Sequence, residues 1–199
     1  MTFLKSNLDR AVARFGDEIV IIRESGDIST KGRISLNRRF GQPWNAENLR
    51  QGIFSSMSTL IGGDILYHTI KDEYYFVYIK GTETLSNSSI AQQITLLKIN
   101  NTCSIYRLSG TAGSMGGTKQ SFTKQKEDIK IHLRAITGDL RVERPALSQT
   151  ANYLMYLQNT EDIRILDRIV IDEKNYQCEV INENTYNGLY EVELSLDKR

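Results

Sequence analysis

Short apolar, β-branched or aromatic runs recur along most of this chain, and several alternate with polar residues at the period of two that a half-buried β-strand requires. The alternation is strictest at Ile129-Lys130-Ile131-His132-Leu133-Arg134. The final run, LYEVELSL from Leu189 to Leu196, puts Leu189, Val192, Leu194 and Leu196 mostly on one face. Only the N-terminus departs from this pattern. Leu4, Leu8, Ala11 and Phe15 recur at i, i+4, i+7 and i+11, the stripe of a short amphipathic helix that is expected to dock on the body of the protein, the alternative being a free arm that reaches a partner. Ser6 or Asn7 suits its cap and Gly16 its stop.

After Gly16 the pattern predicts strands at Glu18–Arg23, Gly32–Leu36, Ile65–Tyr67, Tyr74–Ile79, Ala91–Ile99 and Cys103–Leu108. Further strands follow at Ile129–Arg134, Tyr153–Leu157, Asp167–Ile171, Tyr176–Ile181 and Leu189–Leu196. Turn residues separate them, among them Ser25-Gly26-Asp27, Lys71-Asp72-Glu73 and Asp172-Glu173-Lys174-Asn175. Long polar loops are expected at Arg23–Ile34 and Leu108–Asp128, the second holding the glycine-rich stretch Gly110–Gly117. About ten short strands at close spacing indicate an all-β protein. The length favours two small SH3-like β-barrel or sandwich modules with a short N-terminal helix. The expected boundaries are 1–16 for the helix, 17–100 for the first module and 101–199 for the second.

The two halves echo each other. GGDILYHTIKDEYYFVYIK (Gly62–Lys80) and ILDRIVIDEKNYQCEVINE (Ile165–Glu183) align with Asp64 on Asp167, Ile65 and Leu66 on Arg168 and Ile169, and Tyr75 on Tyr176. Each is followed by a polar loop and a closing strand.

Composition narrows the class. The chain has 199 residues, 40% hydrophobic and 25% charged, with a formal net charge of +1. No global field draws it to nucleic acid or a membrane surface. No stretch is apolar enough to cross a membrane as a helix, and the charged N-terminus lacks the apolar core of a signal peptide. Two cysteines, Cys103 and Cys178, are too few for a disulfide framework and read as buried reduced thiols of an intracellular protein.

The chemical motifs fail on spacing. In Gly110–Lys119 a threonine separates the last glycine from Lys119, and the segment feeds a strand, whereas a P-loop needs Gly-Lys-Ser/Thr opening a helix. The two histidines, His68 and His132, lie in different halves, and no His or Cys pair has zinc-ligand spacing. No nucleophile elbow appears, and the acidic pairs Glu127-Asp128 and Glu161-Asp162 read as solvated charge. No catalytic, cofactor or metal site is expected. Arginines do cluster, at Arg33, Arg38 and Arg39 and at Arg134, Arg141 and Arg144, with aromatics nearby. Interspersed acids and the small net charge favour a protein interface over a nucleic-acid surface, because the guanidinium fork pairs with carboxylates and stacks on rings.

The stretch Thr137–Ile181, TGDLRVERPALSQTANYLMYLQNTEDIRILDRIVIDEKNYQCEVI, resembles the head–tail connector, or head-closure, proteins of long-tailed bacteriophages. In that family a TG.L..ERP segment precedes a Tyr-containing strand, then an I..GDRI strand and a hairpin ending Y.V. Thr137-Gly138, Arg144-Pro145, Tyr153, Asp167-Arg168-Ile169 and Tyr176–Val180 hold the matching places. Leu166 stands where the family has Gly, whereas the first half keeps Gly63 before Asp64. A second barrel is a further departure from the usual single-barrel member.

The resemblance implies a non-enzymatic virion protein of the neck. It would form a homo-oligomeric ring that contacts portal or adaptor and tail proteins, with packaged DNA passing through its channel and no membrane partner. It would sit at the head–tail junction, and in host cytoplasm during assembly. Candidate subunit-interface residues are Arg38, Arg39, Trp44, Arg141, Glu143, Arg144 and Arg164. The alternatives are an OB or SH3-like nucleic-acid-binding module and a small enzyme on a β-scaffold using His132.

Overall fold

The computed structural model describes residues 2–36, 48–85, 88–112 and 118–199. Helix α1 (Thr2–Phe15) leads into strands β1 (Asp17–Ile22), β2 (Ile28–Leu36), β3 (Leu49–Ser55), β4 (Ile65–His68), β5 (Glu73–Leu85) and β6 (Ser88–Lys98). Then come β7 (Asn101–Ala112), β8 (Thr118–Ala135), helix α2 (Gly138–Glu143), β9 (Tyr153–Gln158), β10 (Arg168–Ile171), β11 (Lys174–Tyr186) and β12 (Leu189–Leu196). The strands close into two barrels, in the orders β1-β2-β3-β6-β5-β4 and β7-β8-β9-β12-β11-β10. The topology is therefore the same in both, as closed barrels and not sandwiches. The chain divides into two compact units, Met1–Ile99 with Tyr186–Leu189, and Asn100–Thr185 with Tyr190–Arg199.

In the first barrel the inward positions are Ile19 and Ile21 of β1, Ile34, Phe54, Leu66, Tyr75 and Val77, with Ile94 and Leu96 of β6. The β-branched run that predicted β1 places Ile19 and Ile21 inside with at most 1% exposure. Strand β3 is absent from the sequence reading because Leu49-Arg50-Gln51-Gly52-Ile53-Phe54 has glycine at an inward position where an apolar side chain signals a strand. The reason lies in Phe54. Its ring packs between Gly32 and Gly52, and a Cβ on either would stand 2.4 or 2.6 Å from a ring carbon. Two glycines make room for one fully buried aromatic ring.

Helix α1 packs on β2, β3 and β6. Its stop at Gly16 matches the expectation, with the Gly16 N–H donating to Val12 O at 2.8 Å. Its cap does not, because the helix begins at Thr2 and takes in Ser6 and Asn7. Among its described side chains Val12 is the buried one, while Phe15, expected in the docked stripe, is 69% exposed.

The second barrel is filled by Cys103 and Ile105 of β7, Ile129 and Ile131 of β8, Met155 and Leu157 of β9, Ile169 and Ile171 of β10, Tyr176 and Cys178 of β11, and Val192 and Leu194 of β12. Burial pushes both thiols up to about 12, which keeps them protonated packing groups. Leu196 is 54% exposed and so leaves the face predicted for it, while Glu191 and Glu193 are buried on the opposite face of β12.

In residues 108–112 and 118–128 the expected loop Leu108–Asp128 is instead a two-stranded ribbon, and its part at 113–117 lies outside the described residues. Beyond the pairings of Ser104–Tyr106 with β10 and His132–Ala135 with β9, the strands β7 and β8 continue paired to each other as far as Ala112 and Thr118. Polar, glycine-rich composition hid it, since a ribbon exposed on both faces has no apolar period. Phe122 roots it. The Arg168 guanidinium lies 3.6 Å over the Phe122 ring and Arg199 lies 5.4 Å from it. In the first barrel, Arg23–Ile34 is a short turn followed by β2, again more strand than the polar sequence suggested.

The hairpin Ile165–Val180 turns on two residues. Ile171 pairs with Lys174, and Asp172 and Glu173 both have positive φ, at 47° and 65°. That is the primed geometry that matches strand twist, tighter than the four-residue turn expected. The aligned tyrosines are geometrically equivalent, with Tyr75 opposite Leu66 and Tyr176 opposite Ile169. The residue before each aligned aspartate is left-handed in both barrels, Gly63 at φ 84° and Leu166 at φ 73°. A leucine pays steric strain there that glycine avoids. Leu166 is 56% exposed, so its side chain returns little by packing. Leu166→Gly is expected to stabilise the protein by about 1 kcal/mol, the usual left-handed penalty less the backbone entropy of glycine. Urea unfolding measures it, and a loss of stability would mean that Leu166 packs more than its exposure indicates.

Candidate interaction surfaces

One polar arrangement occurs in both barrels. Arg23, just after β1, donates from Nε to Asp64 Oδ1 at 2.8 Å, while its Nη2 reaches Asp64 Oδ2 and the Thr59 carbonyl, the latter at 2.7 Å. The Ile61 N–H donates to the same carboxylate at 2.8 Å. In the second barrel Arg107 of β7 donates from Nε to Asp167 Oδ1 at 3.0 Å, and from Nη2 to Asp167 Oδ2 at 2.9 Å and the Asp162 carbonyl at 3.0 Å. The Arg164 N–H completes it at 2.9 Å. Thr59 and Asp162 stand equally far before their aspartates, as do Ile61 and Arg164. Backbone pairs flank each clamp. Gly63 N–H donates to Val77 O and Val77 N–H to Asp64 O; Leu166 N–H donates to Cys178 O and Cys178 N–H to Asp167 O.

Asp64 and Asp167 are 4% and 2% exposed. Hydrogen bonds to these carboxylates hold Arg23 and Arg107 above the ordinary guanidinium value, against the opposing effect of burial. The fork geometry suits arginine alone, since lysine has no second nitrogen to satisfy carboxylate and carbonyl together.

A second polar cluster lies on the outer face of β9 and β12. Thr137 caps α2 and Leu140 is buried beneath it, so the segment through Ala151 straps the barrel wall together with Leu147 and Leu154. Glu191, fully buried, accepts from Arg144 Nη1 at 2.9 Å and Nη2 at 2.5 Å, and from the Tyr156 hydroxyl at 2.8 Å. Burial pushes its carboxyl up, but the Arg144 guanidinium, Tyr156 and Asn182 outweigh that and hold it below the usual carboxylate range. Glu193 accepts from the Ser148 N–H at 2.8 Å. Arg141 donates to the Ser148 carbonyl at 2.9 Å and to the Ala151 carbonyl. These groups satisfy one another inside the strap.

The outward surface carries two features of opposite character. Between α1 and the β2–β3 wall lies an open groove of about 240 Å³, lined by Leu8, Ala11, Val12, Phe15, Ile53 and Arg33 among others. On the other unit, Val142 of α2 is 82% exposed between the exposed carboxylates of Asp139 and Glu143.

The expected interface residues divide accordingly. Arg141 and Arg144 bind within their own unit, Arg141 to the Ser148 and Ala151 carbonyls of the strap and Arg144 to Glu191 of β12. Arg164 is exposed and paired with Asp162 at 3.2 Å. Glu143 is exposed, and Arg38, Arg39 and Trp44 lie outside the described residues. Sequence reasoning missed the clamp arginines, Glu191, Ile53 and Val142. The clamps had a signal, a strand-end arginine in each half ahead of each aligned aspartate. The groove had none, because Ile53 sits in the strand that the glycines concealed.

The remaining candidates for chemistry serve structure. His68 accepts the Lys71 N–H on Nδ1 at 3.3 Å, which leaves Nε2 to donate toward Asp17 Oδ2 at 3.2 Å. His132 is buried on β8 with its ring 5.9 Å from that of Tyr156. Among the described residues no three His, Cys, Asp or Glu side chains are grouped to hold a metal ion, and no helix is long and apolar enough to cross a membrane.

No protein-family model matches this chain, and no curated protein matches it. Among solved structures, the phage-like element PBSX protein xkdH from Bacillus subtilis aligns with a TM-score of 0.33 and 19% identity, over 49% of this chain and 94% of that one.

The Arg144–Glu191 pair makes a pH-dependent prediction. Arg144→Met leaves a buried carboxylate without its counter-charge and is expected to cost about 3 kcal/mol at neutral pH. The folded carboxyl titrates below its unfolded value of about 4.3. The pair's contribution is therefore complete above that pH and is lost as pH falls through the folded value. The stability gap between wild type and variant, read from urea midpoints, is widest near neutrality and narrows in acid. A gap independent of pH would assign the effect to packing instead.

Proposed function

We propose that this protein is a structural component of a tailed-phage particle, a ring-forming neck protein between portal and tail, with no catalytic activity. The observation that carries the reading is where the family-like residues fall. Thr137 caps α2, Arg144 pairs with buried Glu191, Asp167 holds Arg107, and Tyr176 faces Ile169 across the hairpin. The segment that resembles head-closure proteins thus supplies β9, β10, the first part of β11 and the outer strap of the second barrel.

The disposition of charge agrees. Arg107, Lys124 and Lys126, at the base of the long ribbon, are paired with Asp162 and Asp167, Glu127 and Glu161. A surface built to take a polyanion leaves its cations open to phosphates, so these pairings favour protein contacts over nucleic-acid binding. The polar groups most deeply buried are scaffold contacts, which supports a building block in preference to an enzyme. Rings arise from heterologous contacts, which need two different complementary patches on each subunit.

The test is location. Cryo-electron microscopy of virions that carry this protein is expected to place two small barrels per subunit in a ring at the head–tail junction. Particles lacking it should accumulate as filled heads without tails. Density elsewhere in the particle, or tailed particles formed without the protein, would refute the neck reading.

A further inference from the structure

The groove on the first unit and the exposed ridge on the second have matching chemistry. The groove is apolar at its floor and cationic at its rim, where Arg33 lines it and the Arg14 guanidinium lies 5.3 Å from the Phe15 ring centroid. Arg33 has no ion-pair partner among the described residues. The ridge inverts that pattern. Val142, the most exposed of the large hydrophobic residues described, stands beside exposed Pro145 and Ala146 and is flanked by Asp139 and Glu143. Neither carboxylate has an ion-pair partner among the described residues. An exposed valine with two unpaired acids on a short helix costs hydration without stabilising its own barrel, as does an open groove lined by Phe15 and Ile53.

We propose that the partner of the groove is a second copy of this chain, whose α2 ridge seats Val142 between α1 and the β2–β3 wall while Glu143 and Asp139 face Arg33 and Arg14. The inference rests on the ring reading above and names the contact that would propagate it. The two patches differ, so the contact is heterologous. Each copy offers one ridge and one groove, and copies add head to tail until the ring closes. The apolar floor supplies adhesion, and the opposed charges fix register and reject a ridge-to-ridge or groove-to-groove encounter, where like charges would meet.

Cysteine cross-linking reads this directly, because Cys103 and Cys178 are buried and pushed up to about 12 and stay out of the exchange. Under mild oxidation of the purified chain, Val142→Cys alone and Ile53→Cys alone are expected to remain uncross-linked. An equimolar mixture should give a dimer and nothing larger, and the double variant a ladder of higher species. Charge exchange is the second measurement. Arg33→Glu and Glu143→Arg should each weaken self-association by about tenfold, the effect of roughly 1.4 kcal/mol, and their combination should recover most of it.

Dimers from Val142→Cys alone, an internal cross-link in the double variant, or no cross-link with no effect of charge exchange would each overturn the contact. If rings at the neck still form when the contact fails, the neck reading stands and this interface is wrong. If the cross-links form but the protein is absent from the neck, the contact stands and the neck reading falls.

Discussion

A sheet becomes a barrel only when its two edge strands meet, here the first and fourth strands of each unit, and both barrels fasten that seam with a buried Arg–Asp clamp. β1 pairs with β4 from Ile19–His68 to Ile22–Ile65, and Arg23 reaches Asp64 immediately beyond the last pair. β7 pairs with β10 at Ser104–Tyr106, and Arg107 reaches Asp167 in the same place. Each aspartate also receives a backbone N–H from the loop before it, so one carboxylate sets the loop, starts the fourth strand and closes the seam. A short fourth strand of four residues, as in β4 and β10, supplies few ladder bonds. The charged, multiply bonded clamp compensates where the ladder is thinnest.

The strands that alternate were legible in the sequence because burial on one face imposes a period of two. The inner part of β8, Ile129–Arg134, and the end of β2, Gly32–Leu36, declared themselves this way, β1 was legible from its β-branched run, and the aligned aspartates and tyrosines pointed to the repeat before any geometry. β3 was not legible because Gly32 and Gly52 are defined by the ring of Phe54, a tertiary requirement invisible to local pattern. The ribbon of β7 and β8 was not legible because neither face is buried. Arg141 and Arg144 looked available to a partner because a guanidinium's choice between its own barrel and another depends on Glu191, far along the chain and on a face that the alternation of LYEVELSL assigned to solvent. The helical stripe was right in kind and wrong in phase, since among its described side chains α1 buries Val12 and not Phe15.

The division between buried and exposed polar groups orders the functional reading. Of the carboxylates deep in the protein, Asp64, Asp167 and Glu191 are each held by an arginine and Glu193 by the Ser148 N–H, and the thiols are packing groups. Among the described residues, the groove beside α1 and the ridge of α2 present exposed apolar groups beside charges without ion-pair partners, and these are complementary in both polarity and charge. A molecule that spends its buried polar groups on closure and leaves its outward patches unmatched is suited to assembly.

The claim on which this account depends is that the same clamp closes both barrels. Native-state hydrogen exchange on Arg23→Met and Arg107→Met tests it most directly. The first variant is expected to lose protection along β1 and β4, and the second along β7 and β10, while the opposite wall of each barrel keeps its protection until global unfolding. Uniform loss of protection across a whole barrel, or none at its seam, would contradict it.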